Sequence, residues 1–195
     1  MKEMTKALGV VMAAALLAGC SDNDTTSQTY SSFADIDADA TAMQAKYTDA
    51  NGDLLSSVTR AQPSDIPDTG SATYTGFVGG DVAGADLVGQ LTVDADFAAG
   101  TLNSSATDFH HETQGAYSGS LSGTGVLLQT PPMGVPQVSA NLDGTLSNGG
   151  TDFATSIAIE GDIVNDGTDA AGAMAGLADG TVGSDMFTGT FAAEN

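Results

Sequence analysis

The sequence predicts an all-β domain: a small, soluble, antiparallel up-and-down barrel of about eight strands, preceded by one short amphipathic helix. Three observations carry this. From Gly70 onward, apolar and polar residues alternate with a period of two, as in half-buried strands. Turn residues punctuate the alternation at short intervals. No helical periodicity interrupts it, so the strands connect by hairpins rather than by crossover helices.

Residues 1–19 read as a cleaved signal peptide. Lys2 and Lys6 make a positive start, and Ala7 to Ala18 is an uncharged apolar run. The run is shorter than the roughly 20 residues that span a bilayer. It ends in Leu17-Ala18-Gly19-Cys20, which resembles the lipobox of bacterial lipoproteins. That resemblance implies a diacylglycerol on the Cys20 thiol and an acyl chain on the new amine, which together make a stable membrane anchor. Cys20 is the only cysteine, so the rest of the chain has neither a disulfide nor a thiolate metal site. Ser21, in place of an inner-membrane Asp, points to the outer membrane.

Residues 20–32 (CSDNDTTSQTYSS) form the lipidated cysteine and a polar tether, whose composition cannot offset its ordering entropy. Residues 33–50 are the helix. Phe33, Ile36, Ala40, Met43 and Tyr47 recur at steps of three and four, which places them on one face. Ser31 or Ser32 is placed to cap it, the early aspartates suit its positive end, and Asn51-Gly52 stops it. Residues 51–69, with Pro63 and Pro67, read as a linker.

Residues 70–195 are the barrel. The clearest strand sets Leu87, Gly89, Leu91, Val93, Ala95 and Phe97 on one face, with Asp86, Gln90, Thr92, Asp94 and Asp96 on the other. The pattern repeats from Val138 to Leu146, from Ile157 to Ile163 and from Phe187 to Ala193. Weaker runs lie at Ala72–Phe77, Thr101–Phe109, Ala116–Leu121 and Ala171–Leu177. Expected turns are Gly79-Gly80, Ala99-Gly100, Pro131-Pro132, Asn148-Gly149-Gly150, Asn165-Asp166-Gly167 and Asp179-Gly180. Glycines fall mostly on the inward face, where a tight barrel needs room. The other face is acidic or hydroxylic, so it meets water rather than lipid.

The chain has 25 Asp and Glu against four Lys and Arg, a net charge of −21. Signal cleavage leaves Lys46 and Arg60 as the only permanent cations. Nucleic-acid binding needs several phosphate-neutralising cations and is excluded as a partner class, as is a polybasic lipid anchor. Such a charge keeps a protein soluble and favours a monomer.

His110-His111-Glu112 is the single histidine cluster, read as a loop tip. Strand neighbours point to opposite faces, and Gly115 stands where a zinc H-E-x-x-H motif needs its second histidine. Asp35, Asp37 and Asp39 have the spacing of a calcium loop, but Ala40 replaces its turn glycine and Lys46 its final glutamate. Asp49, Asn51 and Asp53 fail likewise at Leu54 and Arg60. Neither metal nor cofactor is therefore expected. A nucleophile elbow and a phosphate-binding glycine loop are both missing, so no catalytic residues are assigned.

Three groups of residues carry a resemblance: Gly70-Ser-Ala-Thr-Tyr74-Thr-Gly76; Leu91-Thr-Val-Asp94-Ala-Asp-Phe97 leading to Gly100-Thr-Leu102; and Gly172-Ala-Met-Ala-Gly176 with Phe187-Thr-Gly-Thr-Phe191-Ala-Ala-Glu194. In that order they resemble the eight-stranded barrel domain of transferrin-binding-protein-B-like surface lipoproteins. The resemblance implies a barrel from Gly70 to Asn195 on a lipid anchor. The chain departs from the family at Ile163-Val164-Asn165-Asp166, where F-Y-G-P is usual, and it lacks the handle domain and second lobe of the transferrin receptors. Fold transfers by this route; ligand does not.

The functional expectation is an outer-membrane-anchored, non-enzymatic lipoprotein whose barrel binds a protein or small ligand at the cell envelope. The alternative is a structural acidic coat protein without a specific ligand. A barrel enzyme acting on lipid or glycan is a third, weaker alternative.

Overall fold

The computed structural model describes residues 28–49, 51–129 and 135–195. The signal peptide, the lipidation site Cys20, most of the tether and the Pro131-Pro132 turn lie outside the described residues.

Helix α1 spans Phe33–Tyr47. Ser32 caps it: its hydroxyl accepts the Asp35 N–H at 3.3 Å. The helix ends at Tyr47 rather than at residue 50. Thr48 turns extended and its N–H closes the last bond onto Gln44 O. Asn51-Gly52 instead belongs to the turn that follows, where Asp49 Oδ1 accepts the N–H groups of Asn51 and Asp53. Ile36, Ala40 and Tyr47 are buried against the barrel, with Phe33 and Met43 partly so.

Eight strands follow: β1 Ser71–Val82, β2 Ala85–Asp96, β3 Thr101–His111, β4 Gly115–Leu128, β5 Gln137–Asn148, β6 Thr151–Val164, β7 Ala173–Val182 and β8 Asp185–Glu194. Each pairs antiparallel with its chain neighbour, and β8 returns to β1, closing the barrel in sequence order. The expected fold class is the one observed. Closure leaves no sheet edge to template aggregation.

Two expected turns are wrong. Gly79-Gly80 lies inside β1 and Asp179-Gly180 inside β7, while the chain reverses at Ala83-Gly84 and Gly183-Ser184. The glycines there serve close approach, not reversal. Gly80 sits directly opposite Gly189 on β8, and a Cβ on Gly189 would overlap the Gly79 carbonyl oxygen.

The interior is filled. Tyr74, Phe109, Phe187 and Phe191 are at most 1% exposed and pack with Leu87, Leu91 and their inward neighbours. Room for the Phe109 ring comes from Gly89, where a Cβ would lie 2.5 Å from that ring. Register shifts between Val88 and Gln90, and between Ala106 and Phe109, bulge this corner.

Residues 51–69 do more than connect. Leu54 and Val58 cover Val164, Ala173, Ala175 and Ala192 on the outside of β6–β8. The chain then turns under the barrel: Ala61 N–H donates to Ile163 O at 2.9 Å, and Ala61 and Ile66 join the interior core. This strap closes the lower rim, where β1 begins and β8 ends.

Candidate binding cleft

The last turn of α1, the strap and the β6–β7 loop meet at the lower rim and leave an open cleft of about 420 Å³. Its lining is Lys46, Tyr47, Ser57, Val58, Thr59 and Asn165–Gly167. Each wall is held by local chemistry. Thr59 O accepts the Asn165 N–H at 2.9 Å, which ties strap to loop. Asn165 Oδ1 accepts the Gly167 N–H at 2.6 Å, and Asp166 Oδ1 accepts those of Thr168 and Asp169 at 2.6 and 2.7 Å. Those backbone donors hold the Asp166 carboxyl below the usual carboxylate range, and the Lys46 charge adds to them.

Lys46 Nζ reaches both Glu194 carboxylate oxygens, at 2.9 and 3.1 Å, while the Tyr47 hydroxyl donates to Oε1 of the same group. Burial, followed by the hydrogen bond to Glu194, pushes the Tyr47 phenol far up. One residue beyond the cleft, Arg60 Nε pairs with Asp162 Oδ2 at 2.6 Å. Lys46 and Arg60 therefore both sit on this seam, fastening α1 and the strap to the barrel. The lining holds neither histidine nor cysteine. Its hydroxyls, carboxamide, carboxylate and ammonium are all groups to which a polar ligand can hydrogen-bond.

The histidines are not a loop tip. His110 and His111 end strand β3 and are each 3% exposed. Their rings diverge, as strand geometry requires. His110 faces outward beneath α1, with Nε2 3.2 Å from Asp108 Oδ1. His111 accepts the Thr113 N–H at 3.2 Å and lies 6.1 Å from the Tyr117 ring. The burial was not legible in the sequence because the β3 bulge, which sets Asp108 at φ +52°, breaks the alternation just before the histidines.

Asp108 has a second partner. Its Oδ2 accepts the Tyr30 N–H at 2.7 Å, and the Gln28 carbonyl accepts from Gln90. These bonds pin the end of the tether to the barrel near the upper rim, where the β3–β4 turn lies. Asp35 and Asp39 are likewise occupied locally, by the Ser31 and Ser32 hydroxyls and by the Tyr30 hydroxyl respectively. Among the described residues, no group of three or more His, Cys, Asp or Glu side chains is arranged to hold a metal ion.

The chain matches no family model, no curated protein and no solved structure.

Proposed function

We propose that this chain is a bacterial envelope lipoprotein, anchored in the outer membrane through Cys20, whose barrel is a non-enzymatic binding module. The observation that carries the binding mode is the filled interior. Tyr74, Phe109, Phe187 and Phe191 occupy the space in which a calyx-type barrel holds its ligand. Recognition then falls to the outer surface, and the open cleft at the seam is the recess that suits it.

Position supports the same reading. The tether docks near the upper rim, at Asp108 and Gln90. α1 then descends the wall to Tyr47, and the cleft opens at the lower rim. A lipid on Cys20 would therefore join the bilayer to the barrel at the upper-rim end of α1, leaving the cleft at the far end. The resemblance to transferrin-binding-protein-B-like barrels agrees with this plan while leaving the ligand open.

Two variants test the two halves. Cys20→Ala should move the protein from the membrane to the soluble fraction; retention in the membrane overturns the anchor. Thr59→Trp fills the cleft from an exposed strap position and should abolish stoichiometric capture of a ligand or partner. Unchanged capture removes the cleft from the account.

A further inference from the structure

The charges of this chain are unevenly spread, and the gap falls on one face of the barrel. Between Glu112 and Asp152 the only charged residue is Asp143. β4 and β5 take up most of that stretch and lie across the barrel from β8 and β1, on which α1 packs. Outward from β4 stand Ser118, Ser120, Ser122 and Thr124, followed by Val126 and Leu128. The last two are each 47% exposed. β5 continues the surface with Asn141 and Thr145 around the lone Asp143.

We propose that this β4–β5 face is where two copies of the chain associate, sheet against sheet about a twofold axis. The first argument is electrostatic. A second copy is itself strongly acidic, and contact through its carboxylate-bearing faces sets like charges against each other. Net charge predicts a monomer; the distribution of charge leaves one face exempt.

The second argument is hydrogen-bond chemistry. Hydroxyls and carboxamides both donate and accept, so a lattice of them is complementary to itself, whereas a carboxylate surface only accepts. A twofold contact requires that self-complementarity. Short Ser side chains also let two sheets approach to about 10 Å, and Val126 and Leu128 supply apolar area. A glycan fits less well, because neither strand turns an aromatic ring outward for a sugar to stack on.

Size sets the strength. With strands about 4.8 Å apart and a rise of about 3.4 Å per residue, the face covers on the order of 500 Å² per copy. That is below the usual 800 Å² or so of a stable complex, so association is weak in dilute solution. Tethering copies to one membrane raises their effective concentration. Only that gain rests on the lipoprotein reading; the contact itself does not involve the cleft.

Thiol cross-linking of the full chain with a short bis-maleimide, whose span of about 8 Å bridges facing sheets that a disulfide cannot, tests this. Ser122→Cys lies mid-face on β4, and Thr188→Cys is an outward control on β8. Ser122→Cys should give a dimer band several-fold stronger than Thr188→Cys or the unsubstituted chain. The band should strengthen as ionic strength rises from about 0.01 M to about 0.15 M, because the screening length falls from about 30 Å to about 8 Å. Adding Asp143→Asn, which removes the only charge on the face, should strengthen it again. Equal bands for Ser122→Cys and Thr188→Cys, or a dimer that weakens with salt, overturn the proposal. So does a Ser122→Cys adduct with a different protein, or protection of Ser122→Cys by added polysaccharide.

Discussion

At the scale of single residues, the fold is decided by backbone positions that tolerate little. Gly189 faces Gly80 across the β8–β1 seam, and an added methyl would collide with the backbone of β1. Gly189→Ala should lower unfolding stability by about 1–3 kcal/mol, the usual cost of overpacking, as read from the denaturant midpoint. Ala83 is the opposite case. It occupies the β1–β2 turn at φ +55°, a conformation glycine adopts freely. Ala83→Gly should therefore raise stability by roughly 0.5–1 kcal/mol, somewhat less than the full left-handed penalty. Asp86 gives a pH signature. Burial, then the neighbouring charges of Asp37, Glu112 and Asp81, raise its pKa, against a smaller opposing effect of His111. A raised carboxyl pKa means that the folded state disfavours the ionised form. Its stabilising effect is present below the unfolded value of about 3.9 and is lost as pH rises through the folded value. Asp86→Asn should raise the Tm at neutral pH, and the gain should vanish in acid below the unfolded value.

At the scale of elements, the strap is the part whose role period and composition conceal. Its prolines and serines look like a connector, yet Ala61 and Ile66 enter the barrel core. Nothing local marks them, because two isolated apolar residues form no period. The strands were legible for the opposite reason. Leu87 to Phe97 alternates without a break, and alternation is what a two-sided strand imposes. The α1 stripe was equally plain, and Ile36, Ala40 and Tyr47 are buried as their spacing demands. The misplaced turns at Gly79-Gly80 and Asp179-Gly180 show where sequence runs out. A glycine that permits close strand approach looks the same, in one chain, as one that reverses direction. The cleft was illegible because Lys46, Ser57 and Asn165 come from three elements that only the folded chain joins. Strap anchoring gives a direct comparison. Ile66→Ala removes core packing and should cost about 2–3 kcal/mol. Arg60→Ala breaks a half-exposed pair with Asp162 and should cost less than about 1 kcal/mol. Urea unfolding of both variants checks the order, and hydrogen exchange at residues 54–66 should quicken far more in the first.

At the scale of the whole molecule, polarity runs along the barrel axis and charge runs around it. The tether meets the upper rim, the cleft opens at the lower rim, and the β4–β5 face, with Asp143 as its single charge, lies opposite the wall that carries α1. A filled interior leaves the outer surface as the place where a ligand would be recognised. Native mass spectrometry of the full protein, extracted in detergent from host cells grown with and without iron, tests the central claim most directly. The account predicts a chain that begins at Cys20, carries its acyl groups and holds a stoichiometric adduct that the Thr59→Trp variant loses. A chain that still begins at Met1 without lipid, or a lipidated chain bare in both conditions, would contradict it.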